Sequence, residues 1–254
     1  MQERVYKTQA IVLRRFDFGE TGRQLIAFTP DFGKISLIAK GTKKPTSKLA
    51  GHLEPLTLTQ LVVASGRNID TVTQAQTIKS FANVRSDSRV IPFGLIVAEL
   101  LDRMIAEGEP NREIWALAVD TLERLNNTND PWKPVTYFQV RLLILAGYQP
   151  ELKVCSRCGQ DVAPESVYFS LSAGGMVCRE CSKGDPTAVV VSPNVIKALR
   201  LASLPSYEVF EKVRIPQDLR LDVEAIIRRI YAHILESDIR SIAMLRTFYG
   251  TDEI

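Results

Sequence analysis

The sequence predicts an α+β multidomain chain: a small five-stranded β-barrel, then a helical bundle that carries an inserted four-cysteine module. Three observations predict it. Residues 4–80 alternate apolar and polar residues in five short runs separated by turn signals. From Phe81 onward the apolar spacing lengthens to three and four residues. The chain of 254 residues has only four cysteines, and they form two Cys-x-x-Cys pairs with nineteen residues between them.

The strand runs are Val5–Leu13, Arg23–Phe28, Lys34–Lys40, Leu56–Ala64 and Ile69–Gln76. Thr29-Pro-Asp-Phe-Gly33 reads as the turn between the second and third, and Ser65-Gly-Arg-Asn68 as a hairpin between the last two. The Gly41–Pro55 connection falls between the third and fourth strands. Five strands with an insertion there suit a closed barrel of the OB type, a fold that binds nucleic acids through one sheet face and its loops. An SH3-like barrel has the same strand count.

In the helical part, Phe93, Ile96, Val97, Leu100, Leu101, Met104 and Ile105 form one apolar stripe, stopped by Glu107-Gly-Glu-Pro110. Ile114, Trp115, Ala118, Leu122 and Leu125 mark a second helix, Asn126–Pro134 a loop, and Val135–Ala146 a third helix ended by Gly147 and Pro150. Trp115 and Trp132 are expected in packing. Ser192-Pro193 is an N-cap followed by proline at the first helical position, leading into Val195–Leu201. Leu219–Leu235 carries Leu221, Ala225, Ile226, Ile230 and Ile234 as its apolar face, with Arg228 and Arg229 on the solvated one. Ser237 is expected to cap a last helix through Phe248. The domains are drawn at 1–80 (barrel), 81–150 and 187–250 (helical), and 151–186 (cysteine insertion).

Cys155, Cys158, Cys178 and Cys181 have the spacing of a four-thiolate zinc site. Two intervening residues let both thiolates of a pair point at one tetrahedral ion about 2.3 Å away. Val167–Leu171 reads as a short strand and Ala173-Gly-Gly-Met176 as its hairpin turn, a zinc ribbon in outline. Two disulfides or four free thiols are the alternatives. Four sulfur ligands leave no open position for substrate, so one structural zinc per chain is the expected cofactor.

The amino-terminal sequence has no signal-peptide pattern, and no run of about 18 apolar residues is present. A reducing compartment follows as an expectation. The net charge of +3 is unevenly spread: residues 1–80 hold twelve Lys and Arg against six acids, and the remainder 20 against 23. A basic amino-terminal third points to a polyanion partner, with a merely solvated surface as the alternative. Lys40, Lys43, Lys44 and Lys48 crowd the long connection, Arg14 and Arg15 close the first strand, and Arg23 opens the second. With Lys34 and Arg67 these are the candidate phosphate contacts. Phe16, Phe18, Phe28 and Phe32 lie near them as stacking platforms for unpaired bases or as barrel core. There is no catalytic constellation: two histidines (His52 and His233), no glycine-rich phosphate loop, no paired metal-binding acids.

Several ordered segments carry a resemblance. They include Ala10-Ile-Val-Leu13, Gly19-Glu-Thr-Gly22-Arg23, Phe28-Thr-Pro30 with Gly33-Lys34, Leu53-Glu-Pro55, Arg141-Leu-Leu143 and Gly147-Tyr148-Gln-Pro150. The cysteine pairs follow, with Tyr168-Phe169-Ser170 and Gly174-Gly175 between them. The chain resembles the bacterial RecO recombination-mediator and DNA-repair proteins across nearly its whole length. One departure is Gly22, where the family commonly has an acidic residue. The resemblance implies an OB barrel, a helical domain with a zinc module, and binding of single- and double-stranded DNA with annealing of complementary strands. It also implies partnership with RecR and with the single-strand-binding protein's C-terminal tail, no membrane or small-molecule substrate, no enzymatic activity, and a cytoplasmic, nucleoid-associated location. An RNA-binding transcription or translation factor with barrel and ribbon is the second reading; a hydrolase with a zinc-stabilised lid is the third.

Overall fold

The computed structural model describes residues 5–163 and 167–242 and divides the chain into two compact units, 1–131 and 132–254. In the first unit five strands close a barrel in the order β1-β2-β3-β5-β4. They are β1 (Val5–Phe18), β2 (Gly22–Thr29), β3 (Gly33–Ala39), β4 (Leu58–Ala64) and β5 (Asp70–Lys79). Four pairings are antiparallel, and the closing pair is a short parallel contact of Leu37 and Ile38 with Asp70 and Thr71. This is the OB-like barrel that the strand count implied. Its interior is filled by Ala10, Val12, Leu25, Ala27, Leu37, Leu61, Val63 and Val72, one face of each strand at period two. Leu53, from a 3-10 turn at Ala50–Leu53 in the long connection, joins that core.

The first strand is longer than its apolar pattern. It continues five residues past Leu13 because Arg14–Phe18 pair with Gly22–Ile26 after a bulge between Val12 and Arg14. Polar side chains do not end a strand whose backbone still finds a partner.

The outer barrel face around Ile11 and Phe28 is also fully buried, with Trp115 against Phe28 at 5.8 Å. The helices α1 (Ala82–Ser86), α2 (Ile91–Met104) and α3 (Arg112–Asn127) therefore belong to the barrel's unit, not to the later helices as a single bundle would require. Asp102 on α2 binds Arg14 and Lys34, and Gly108 N–H donates to the Lys34 carbonyl at 2.9 Å. Asn111 caps α3 by accepting from Ile114 N–H at 2.9 Å.

In the second unit α4 (Trp132–Leu145) begins inside the stretch expected as loop, since Pro134 is tolerated in a first turn. Trp132 is buried against Phe210 and Arg220. Then come β6 (Tyr168–Ser170), β7 (Gly175–Val177), α5 (Arg179–Ser182) and β8 (Ala188–Val190), giving an antiparallel sheet ordered β7-β6-β8. The β6–β7 turn is residues 171–174, two residues earlier than the expected 173–176, and Gly175 and Met176 are strand. The unit closes with α6 (Pro193–Ala202), α7 (Tyr207–Lys212) and α8 (Gln217–Leu235). Ser192 caps α6 with Pro193 at its start. On α8 the buried residues are Val223, Ile226, Ile227, Ile230 and Tyr231, whereas Leu221 is exposed, so the apolar face is rotated from the expected one. Residues 240–242 are helical; the rest of the helix expected through Phe248 lies outside the described residues. Among the described residues no helix is long and apolar enough to cross a membrane.

Candidate metal centre and nucleic-acid interface

The four cysteines converge: all four sulfurs lie within 4.8 Å of one another, Cys158 and Cys178 at 4.0 Å, and all are free thiols. Sulfurs at about 2.3 Å from one tetrahedral ion lie about 3.8 Å apart, so the cluster fits a single metal. Each pair is held by its backbone. Gly159, at φ 72°, turns the first pair so that its N–H donates to the Cys155 carbonyl at 2.8 Å. Cys178 opens the α5 turn that carries Cys181, and its N–H points at the Cys155 sulfur, 3.4 Å away.

The electrostatics agree. Burial raises the Cys155 thiol, but the backbone N–H groups of Cys158, Cys178 and Arg157 outweigh it and bring the thiol down to about 6. Cys181 is pushed up to about 12, first by its hydrogen bond with Cys178 and then by burial. Cys158 is also raised, so crowding of the sulfurs favours a thiolate at Cys155 over one at Cys158 or Cys181. A divalent ion held by these four cysteines would supply the opposing charge, and four thiolate ligands would leave it no free position for chemistry.

Sequence reasoning missed the group that braces this cluster. Asp185, whose side chain is 1% exposed, accepts from Ser170 Oγ at 2.6 Å, Thr187 Oγ1 at 2.7 Å and Thr187 N–H at 2.9 Å. It also pairs at 2.8 Å with Arg157, which stands between the two cysteines of the first pair. These donors, Ser170 foremost, hold its carboxyl well below the usual carboxylate range. The legible signal was the Asp-Pro-Thr turn at 185–187, where an aspartate accepts from the N–H two residues on.

The candidate phosphate contacts separate into two groups. Arg14 is bonded to Asp102 at 2.7 Å, Arg15 to Glu54, and Lys43 to Asp17 at 3.0 Å. Lys34 is only 18% exposed and bonds both the Asp102 carbonyl and its carboxylate, a tie within the unit. Lys40, Lys44, Lys48 and Arg67 are exposed, Arg23 is half-buried, and these five have no ion pair among the described residues. Of the four candidate stacking rings, Phe28 is core and Phe32 packs on Tyr6 at 4.6 Å, while Phe16 and Phe18 are 42% and 47% exposed. His52 lies in the barrel unit, where Thr77 N–H donates to its Nδ1 at 3.2 Å.

An OB-like barrel with unpaired cations, in a chain that also gathers four cysteines able to hold a metal ion, has the architecture of a barrel protein with a cysteine-built module. Comparison gives the particular family. The model described as "Recombination protein O N terminal" matches residues 1–81, and "Recombination protein O C terminal" matches residues 85–242. The DNA repair protein RecO of Dehalococcoides mccartyi is 35% identical over 240 residues, covering 94% of each chain. That of a Roseiflexus species is 35% identical over 245 residues, covering 96% of this chain and 86% of the relative. That of Desulforudis audaxviator is 34% identical over 243 residues, 95% and 96% of the two chains. The chain belongs to the RecO family of DNA repair proteins.

Proposed function

We propose that this chain is a non-enzymatic recombination mediator. It binds single- and double-stranded DNA, anneals complementary strands, and helps load recombinase onto strands coated by single-strand-binding protein. Residues 1–80 serve as the DNA-binding domain and residues 151–186 as a module built on one structural zinc. The observation that carries this reading is the barrel with unpaired Lys40, Lys44, Lys48 and Arg67 in a chain that the family models match over residues 1–81 and 85–242. Lysines on a loop suit phosphates, which are read without regard to sequence.

The partners are RecR and the acidic, apolar tail of the single-strand-binding protein, in the cytoplasm at the nucleoid. For that tail we assign the cavity of about 550 Å³ in the second unit, whose walls include Tyr148, Pro150, Phe169, Leu171, Ile230 and His233. Its lining is mixed: the apolar groups share it with Gln149, Glu151 and Ser172, and His233 is its one basic residue, so the apolar part of the tail is what it suits.

The test is annealing of complementary oligonucleotides coated with the cognate single-strand-binding protein, without nucleotide. Acceleration at stoichiometric protein supports the reading; no acceleration, with the same protein free of any DNA-binding signal, overturns it. Titration of the tail peptide by calorimetry tests the cavity, and absence of heat removes that assignment.

A further inference from the structure

Beyond the bulge, the first strand projects two rings, Phe16 and Phe18, that the barrel core does not use, beside an arginine tied to α2. Arg14, Phe16 and Phe18 share one face by the period-two rule. They stand opposite Ile26, Gln24 and Gly22 on β2, which in turn meet Ser36 and Ile38 on β3. The alternate residues Leu25, Ala27, Leu37 and Ala39 line the barrel interior, so this face is the outer one. Phe16 and Phe18 are large, apolar and close to half exposed there.

Two details make the strip a prepared surface. The Arg14 guanidinium, anchored by Asp102 at 2.7 Å, lies 4.7 Å from the centre of the Phe16 ring and fixes that ring from one side. Next to Phe18, Gly22 puts no side chain on the sheet: a Cβ there would be 3.0 Å from the Phe18 carbonyl oxygen and 3.8 Å from the Lys40 Cα. The floor between Phe18 and the unpaired Lys40 is bare backbone.

We infer that the outer face of the β1–β2 ribbon is a stacking subsite for unpaired bases, with Phe16 and Phe18 as its two platforms and Lys40 beside it for the phosphates. This rests on the DNA-binding reading above and deepens it by stating which form of DNA the subsite takes. Rings two residues apart on a strand are separated by roughly 6.8 Å. Bases in a stacked strand rise about 3.4 Å each. Two such platforms cannot face neighbouring bases of a duplex, whose faces are already stacked; they can each take a base of an extended single strand. Cations alongside supply charge complementarity, which an apolar protein partner would not need. A subsite that only unpaired bases can use also lets go once strands have paired, which suits an annealing protein.

The experiment uses the full chain and its Phe16→Ala/Phe18→Ala double variant. Binding is measured with a labelled oligothymidylate and with a blunt duplex of equal length, across a salt series. Thermal melts check that the exposed changes leave the fold intact, and Phe16→Tyr/Phe18→Tyr retains the rings as a rescue. Stacking contributes about 1–3 kcal/mol per base, so each lost ring should weaken single-strand binding roughly 5- to 150-fold. Duplex binding and the salt slope should be unchanged, and the tyrosine variant should restore affinity. Equal loss on both probes, or no loss on either, overturns the subsite, the second outcome leaving the strip to a protein partner. Should the unaltered chain bind neither probe, the DNA-binding reading itself falls, an outcome separate from failure of the stacking variant alone.

Discussion

Asp185 braces the four-cysteine module without being one of its candidate ligands. Its carboxylate joins β6, the turn after α5 and, through Arg157, the first cysteine pair. Asp185→Asn keeps the shape but gives up the charge that faces Arg157, so the first pair should lose its fixed geometry. We expect that variant to release its metal to a chromophoric chelator faster than the unaltered chain; equal release rates would limit Asp185 to folding the turn. The pH dependence has a definite sign. A carboxyl whose folded value is lowered stabilises the fold above its ordinary value, 3.8 here, and that contribution fades as pH falls further toward the lowered value. The thiols impose an earlier limit, because the ligands must deprotonate to bind and metal therefore leaves as acid is added. Cys158→Ser removes one of four ligands, and metal analysis of the purified variant should find the site largely empty.

At the scale of elements, the loop between β3 and β4 carries the most direct test. Lys43 is already paired with Asp17, so Lys44 and Lys48 are the informative pair. Lys44→Ala/Lys48→Ala should flatten the log–log salt slope of single-strand binding by about 1.4 if each contacts a phosphate. Arg228 and Arg229 on α8 serve as the control pair, and equal flattening by their removal would place the footprint outside the barrel. Gly33 is a second element-scale case. It sits at φ 65°, and a Cβ would meet the Glu109 carbonyl oxygen at 2.2 Å, so Gly33→Ala should cost at least about 2 kcal/mol in a denaturant titration. What was legible at this scale follows from how each element is encoded. The barrel strands, α2 and α3 showed in their apolar periods, the cysteine spacing announced its own site, and Ser192-Pro193 marked the start of α6. The end of β1 was hidden because Arg14–Phe18 are held by pairing rather than burial. The elements α1, α5, α7 and β8 are three to six residues long, too short to display a period. On α8, Leu221 and Ala225 counted as apolar by type although the buried face runs through Val223, Ile227 and Tyr231.

For the molecule as a whole, the division at 131/132 was not legible, because it depends on contacts that no local pattern records. Phe28 meets Trp115 and Asp102 meets Arg14 across 87 and 88 positions of chain respectively, and such pairings assign α1–α3 to the barrel's unit. The charge asymmetry was legible from composition alone, but it belongs to the barrel rather than to its unit: the acidic surplus of residues 81–131 offsets most of the basic surplus of residues 1–80, while the cysteines all lie in the other unit. That separation makes a prediction about metal removal. Binding a structural ion to four thiolates contributes on the order of 10 kcal/mol to local folding, so chelation should loosen residues 150–190. The barrel core contains no cysteine and closes through its own strand ladder, so it has no reason to respond. Hydrogen exchange on the chelated protein should therefore rise across 150–190 while β1–β5 stay protected, and single-strand affinity at fixed salt should hold. If exchange rises in the barrel strands as well, or affinity collapses with the metal, the two units fold as one cooperative body. The metal would then support DNA binding through stability rather than standing apart from it.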